Sequence, residues 1–477
     1  MHLRAATPAT RAGRSRRTAR LALTGCAVLL LGLLPQAASA HDRPGHHGPG
    51  PVHDPGHGPG PGHGPGPGPV GDPAREVLAG NDGWAAAEGG VTGGAAADAA
   101  HTFTVSTREE LAAALAAADG EPTLIRVSGT IDANTDPEGN PLDCADYATD
   151  GYSREAYLAA YDPETWGRNA PSGPLEEARI ASAARQAERV RLRVGSHTTI
   201  VGIGEDARLL GATLDVSNQD NVIIRNLTFE DAYDCFPYWD PTDGEFGEWN
   251  SEYDNLVLSG ATHVWVDHNT FTDGRRPDSA QPHYFGRLFQ QHDGQLDVVR
   301  GSDLVTVSWN VFTEHDKTLL IGNSDGAGAT DRGRLRVTFH HNLFHNLTER
   351  APRVRFGQVD VYNNHYTQDA DHEYAYSWGI GVESGLLAEY NAFTLPEGID
   401  PGQVVHQWTA GTSLTEHGNR VNGEPTDLLA AFRAAHPDSD LGADVGWTPR
   451  LRARVDDPRA VPALVDRGAG AGHLARR

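Results

Sequence analysis

Five segments of this chain end in one pattern. VWVDHNTF, VTVSWNVF, VTFHHNLF, VDVYNNHY and LLAEYNAF each run alternating β-formers into a short break, an asparagine, any residue, and Phe or Tyr. The asparagines are Asn269, Asn310, Asn342, Asn364 and Asn391, so the spacings are 41, 32, 22 and 27 residues. VIIRNLTF is an imperfect copy, with Leu227 where the asparagine should stand. Recurrence at this period marks a solenoid. The copies are not separated by helix-period stretches, which argues against a βαβ sheet. The pattern predicts an all-β fold, a parallel β-helix whose shortest coil is about 22 residues and whose coils stack ~4.8 Å apart. The asparagines would form a buried amide ladder, with the aromatic residues stacked inside it.

The charged residues take positions relative to this ladder. Lys317 follows Asn310 by seven residues, and Arg350 and Arg355 follow Asn342 by eight and thirteen. Asp297 and Asp293 precede Asn310 by thirteen and seventeen; Asp254 and Glu252 precede Asn269 by fifteen and seventeen. In a coil of about 22, eight past one ladder position has nearly the angle of fourteen before the next. Cations and carboxylates therefore converge on one flank of the cylinder.

Residues 1–40 carry six arginines, then LALTGCAVLLLGLLP and Ala38-Ser39-Ala40. This is the pattern of a secretion signal, and its apolar run is too short to span a bilayer. Arg16-Arg17 leaves both the general and the twin-arginine export routes open. Residues 41–73 are Pro, Gly and His repeats with little to bury, which predicts a solvated linker. Residues 74–477 are expected to form one domain, because a solenoid core grows coil by coil. Removing the signal takes the net charge from −25 to −25 − 6 = −31. Such acidity excludes a nucleic-acid partner. A polyanion bridged by cations stays possible. The two cysteines left, Cys144 and Cys235, can pair in an exported protein, but their spacing does not establish that they meet.

Ser106 and Glu109 predict a capping box for a helix to about Ala118, placed to close the open end of the cylinder. Residues 135–190 break the strand rhythm with two helical stretches, SREAYLAAY and PLEEARIASAARQAERV. DLLAAFRAAHP reads as a late helix, and VDRGAGAGHLARR as a tail packed back along the cylinder.

Lys317 is the only lysine among 39 basic residues. A chain that otherwise uses arginine keeps a lysine most plausibly where a compact ammonium is needed. Glu252 with Asp254, and Asp293 with Asp297, form two acidic pairs that could share a Ca²⁺ ion if stacked a rung apart. Solvated loop carboxylates would read the same, so the pairs alone leave both readings open. The chain lacks Cys/His spacings for zinc. ERAPRVR supplies Arg350, Arg353 and Arg355, a basic run suited to an acidic ligand.

VWVDH (264–268), HDKTLLIGNSD (315–325) and ERAPRVRFG (349–357) resemble the signature regions of the polysaccharide lyase family 1 pectate lyases. GWAAAEGGVTGG, CFPYWDPTDG and GAGAGHL are similar to segments of its secreted bacterial members, so the likeness covers nearly all of residues 80–477. The resemblance implies a right-handed parallel β-helix that cleaves polygalacturonate by calcium-dependent β-elimination, leaving 4,5-unsaturated products. It implies Asp254, Asp293 and Asp297 as calcium ligands, with Glu252 where some members have Asp. Asp293 stands where others have Glu. It implies Lys317 and Arg355 as substrate contacts and Arg350 as the base, and leaves Asp267 and His268 structural. A secreted monomer free of the membrane is expected. A pectin lyase would share the fold but not need calcium, and a non-catalytic β-helix adhesin would need neither Lys317 nor Arg350.

Overall fold

The computed structural model describes residues 72–118 and 120–474. The expected signal and almost all of the expected linker lie outside them. Asp72 caps a turn of 3-10 helix at Pro73–Arg75, and its carboxylate pairs with Arg126 at 2.6 Å.

Short strands stack in parallel, coil upon coil, as a right-handed parallel β-helix. The ladder runs through its core. The backbone N–H of Asn269 donates to Asn310 Oδ1 at 2.8 Å, and the same bond repeats from Asn310 to Asn342 to Asn364 to Asn391, each at 2.9 Å. Each side-chain amide also donates to a backbone carbonyl, as Asn310 does to Val266. Leu227 closes one end by donating its N–H to Asn269 Oδ1. The other end holds a rung absent from the sequence reading: Asn391 N–H donates to Asn419 Oδ1 at 2.9 Å. The residue before each rung is left-handed: His268, Trp309, His341, Asn363 and Tyr390 have φ between 52° and 56°. This conformation costs a non-glycine residue energy. It turns the chain between two strands, and the buried amide bonds offset the cost. The expected aromatic stack is present from Phe229 through Phe271, Phe312, Phe344 and Tyr366 to Phe393, with ring centroids 4.4–5.4 Å apart.

Helix α1 (Arg108–Ala116) covers the open end, burying Leu111, Ala114 and Leu115. Its cap differs from expectation by one residue. Thr107, extended at φ −128°, accepts from Glu110 N–H, while Glu110 reaches back to Ser106. The insertion contains α2 (Arg154–Ala160) and α3 (Pro174–Val190), as expected. It is held to the cylinder by the Cys144–Cys235 disulfide and by buried Arg179, which pairs with Glu176 and donates to Phe236 O. Helix α4 (Leu428–Ala435) packs at the far end. The tail does fold back. After α5 (Val461–Gly468), Gly470 donates to Trp309 O and Gly472 to Asn226 Oδ1.

Candidate active site

An eight-stranded parallel sheet forms the face that carries the charged residues. Its strands are β1 (Arg191–Arg193), β2 (Thr213–Ser217), β3 (Leu256–Ser259), β4 (Leu296–Val299), β5 (Leu319–Ile321), β6 (Arg353–Val354), β7 (Trp378–Ile380) and β8 (Val405–Gln407). Period-2 alternation sends Leu256, Leu296, Leu319 and Val354 inward, where they are wholly buried. One row of neighbours on the outer face then runs Arg193, Asp215, Val257, Asp297, Leu320, Arg353, Gly379, His406.

Asp297 sits on that row. Asp254 lies in the bend before β3, and Asp293 in the bend before β4. Asp254 Oδ1 accepts from Gly294 N–H at 2.8 Å, and Asp297 Oδ1 from Leu320 N–H at 3.2 Å. These two oxygens face one small space: a Cβ on Gly294 would lie 2.6 Å from Asp297 Oδ1 and 2.8 Å from Asp254 Oδ1. Burial raises the pKa of Asp254 well above the usual range, and the nearby Asp297 and Asp293 charges raise it further. Burial and then Asp293 raise Asp297 likewise. A buried, oxygen-lined space among mutually repelling carboxylates suits a hard divalent cation such as Ca²⁺. The residues therefore fit the ion that the sequence implies. The fourth expected ligand is placed differently. Glu252 is exposed, and its charge acts on buried Asp234, whose Oδ2 accepts from the Glu252 N–H.

The cations arrive from the next coils. Lys317 ends the strand Val311–Lys317 and is paired in register with Glu349 of the strand Leu343–Glu349. Among the described residues its ammonium forms no ion pair. Arg350 follows Glu349 directly, with φ 61°, and donates Nε–H to Glu349 Oε1 at 2.8 Å. Burial works against its charge, but Glu349, then Tyr376, Asp293 and Asp297, lift its pKa above the ordinary value. A base would need the opposite shift, so these carboxylates must be neutralised before Arg350 can give up a proton. Arg355 donates to Asp325 and to Gly322 O.

Behind the carboxylates lies a group the sequence reading missed. His315 Nε2 donates to Asp293 O at 2.6 Å, and its Nδ1 to Asp273 Oδ1 at 2.7 Å. His292, next to Asp293, has Asp278 on Nδ1 at 2.9 Å and Asp231 on Nε2 at 3.1 Å. Ligand atoms of Asp273, Asp278 and His292 lie within 4.8 Å of one another, a spacing that could also hold a metal. An acceptor on each nitrogen is the arrangement of an imidazolium, however, and the carboxylates lift the pKa of His292 against the effect of burial. We read the group as an ion-pair network that braces Asp293. The only sequence signal was adjacency, since His292 precedes Asp293 and His315 stands two before Lys317. Asp267 pairs with Arg225 at 2.8 Å and with His268 Nδ1 at 2.8 Å, and all three are buried.

Comparison with known proteins supplies the family. A family model described as pectate lyase matches residues 171–438. A pectate lyase of Bacillus subtilis (strain 168) is 44% identical over 407 residues, covering 84% of this chain and 94% of its own. The solved structure of the thermostable pectate lyase PL 47 matches with a TM-score of 0.82 at 46% identity, covering 84% of this chain and 99% of that one. A pectate lyase bound to a hexasaccharide matches with a TM-score of 0.80 at 43% identity, covering 84% and 99%. The match to the family model and the identity to its bacterial members, spread over most of the chain, place this protein in the pectate lyase family, as a polysaccharide lyase.

Proposed function

We propose that the protein cleaves de-esterified polygalacturonate by calcium-dependent β-elimination, producing 4,5-unsaturated oligogalacturonides. The observation that carries this is the convergence of Asp254, Asp293 and Asp297 with Lys317 and Arg350 on one outer face. Asp254, Asp293 and Asp297 would hold calcium. Bound there, the ion would neutralise a uronate carboxylate and spread the enolate-like charge that forms beside it. Lys317, which forms no ion pair among the described residues, engages the same carboxylate and stabilises that charge as it grows. Arg350 takes the C5 proton on a guanidine nitrogen once the carboxylates beside it are neutralised. The C5–H electron pair becomes the C4=C5 double bond, the C4–O bond breaks, and the leaving oxygen is protonated from water. Arg355 exchanges Asp325 for a second substrate carboxylate. The hexasaccharide bound by a related lyase supports an oligomeric substrate. The Cys144–Cys235 disulfide supports export to an oxidising compartment.

The test is the absorbance of unsaturated product from polygalacturonate, with and without chelator. Activity with calcium, its loss in chelator, and poor turnover of highly methylated pectin are expected. Faster cleavage of the methyl ester in chelator would instead identify a pectin lyase.

A further inference from the structure

Further along the same outer face, past the reaction centre, lies a patch that the chemistry above does not use. Arg353 is two strands beyond Asp297 on the outer row, ~10 Å at the rung spacing of a sheet. His406 is two strands further, ~19 Å from Asp297. Trp408 follows β8 and is anchored by its N–H to Ile380 O at 2.8 Å.

Three observations single out this patch. Among the described residues Arg353 forms no ion pair and donates no hydrogen bond, and its Nε is buried without a partner. Its guanidinium instead lies over the Trp408 ring, 4.0 Å from the centroid. Trp408 is 46% exposed, one of the few large apolar side chains open to solvent. His406 lies against it, ring centroids 4.5 Å apart, and stacks on buried Tyr376 at 5.2 Å. Burial and the adjacent Arg355 also lower the pKa of Arg353, which reflects a local surplus of positive charge.

We propose that Arg353, Trp408 and His406 form an outlying subsite for a uronate residue of the polygalacturonate chain. The inference rests on the function proposed above. Arg353 offers unused N–H donors to a sugar carboxylate, in the forked geometry that matches it. Trp408 offers a rigid face to the sugar's C–H surface, as aromatic side chains do when one side is apolar and the other wet. The guanidinium laid on the ring is already oriented, so little side-chain freedom is lost on binding. The subsite would act on long chains, which reach it while a scissile bond lies at Arg350, and would be idle on the shortest substrates.

The experiment compares W408A and R353Q with wild type on trigalacturonate and on polygalacturonate. The polymer-to-trimer ratio of kcat/KM should fall roughly fivefold in W408A, the equivalent of about 1 kcal/mol. R353Q should lower the same ratio and flatten the rise of polymer KM with salt, since one screened attraction is gone. An unchanged ratio in both variants, or equal losses on both substrates, would overturn the subsite and leave Arg353 and Trp408 as packing. Should wild type fail to cleave polygalacturonate, the function above falls. Calorimetric binding of the polymer to wild type and W408A then decides the subsite separately: weaker binding in W408A supports it, and equal binding ends it.

Discussion

Two side chains carry most of what a substitution can reveal. Lys317 is conspicuous as the sole lysine, and among the described residues its ammonium forms no ion pair, one coil from Glu349 and Arg350. Lys317→Arg keeps the charge but spreads it over a plane. Steady-state kinetics should show kcat down by ~10²–10³ with a modest change in KM. Wild-type kcat would mean that any cation serves. Asn310 stands in the middle of the ladder. Asn310→Ala strands the buried N–H of Asn269 and the carbonyls of Val266 and Ser308. Each such group costs ~1–3 kcal/mol, so denaturant unfolding should show a loss of roughly 3–5 kcal/mol. Asn419→Ala, at the end of the ladder, should cost less. The ladder was legible because each rung repeats a strand, an asparagine and an aromatic residue. Asn419 escaped notice because HGNRV puts Val421 where the aromatic should be, so the repeat fades while the hydrogen bond persists.

Single elements brace the site and close the ends. The strand Val311–Lys317 carries both His315 and Lys317, so one element braces the proposed calcium ligand Asp293 and presents the proposed substrate contact Lys317. His315→Gln keeps a donor near the Nε2 position, where it meets Asp293 O; His315→Asn keeps one only near Nδ1. The asparagine variant should need about tenfold more calcium for half activity, and the glutamine variant distinctly less than that. Equal calcium requirements would show that the bond to Asp293 O is idle. At the far end, burial and then the Asp427 carboxylate push Glu416 up to about 7, although Asn419 donates to it. A carboxyl whose pKa is raised on folding adds stability below its unfolded pKa of about 4.5, and that stability is lost as pH rises through 7. Glu416→Gln should therefore raise Tm at pH 8 and bring little gain at pH 4, as read by calorimetry. These relations could not be read from the chain. Asp273 and Asp278 share one connection, His292 comes from another and His315 from the strand Val311–Lys317, and only stacking brings them together. The α1 cap was misread by one residue because Ser106 and Thr107 are both able caps, and backbone direction chose Thr107.

The whole molecule follows from repetition, which is why its architecture was readable while the fine structure of its site was not. Strand face and the flank holding Lys317, Asp297 and Arg350 follow from the asparagine register. The placing of Glu252 beside Asp234 depends on an insertion whose fold has no period. The stability of the cylinder is tied to the site through its buried carboxylates. Calcium at a hundred times its Kd should add ~2.7 kcal/mol, only about 3 °C in Tm for a domain this large. Asp297→Asn should raise Tm in chelator by relieving repulsion and abolish the calcium increment; a calcium increment that survives would remove Asp297 from the site. The ladder has one more consequence. Its six amide carbonyls point the same way at regular spacing, so they are coupled oscillators whose stretches combine into a shared infrared band. The position of that band depends on how many rungs remain in line. Melting from either end would shift it before the strands themselves dissolve, and a ¹³C label in Asn269 or Asn419 would tell which end frays first.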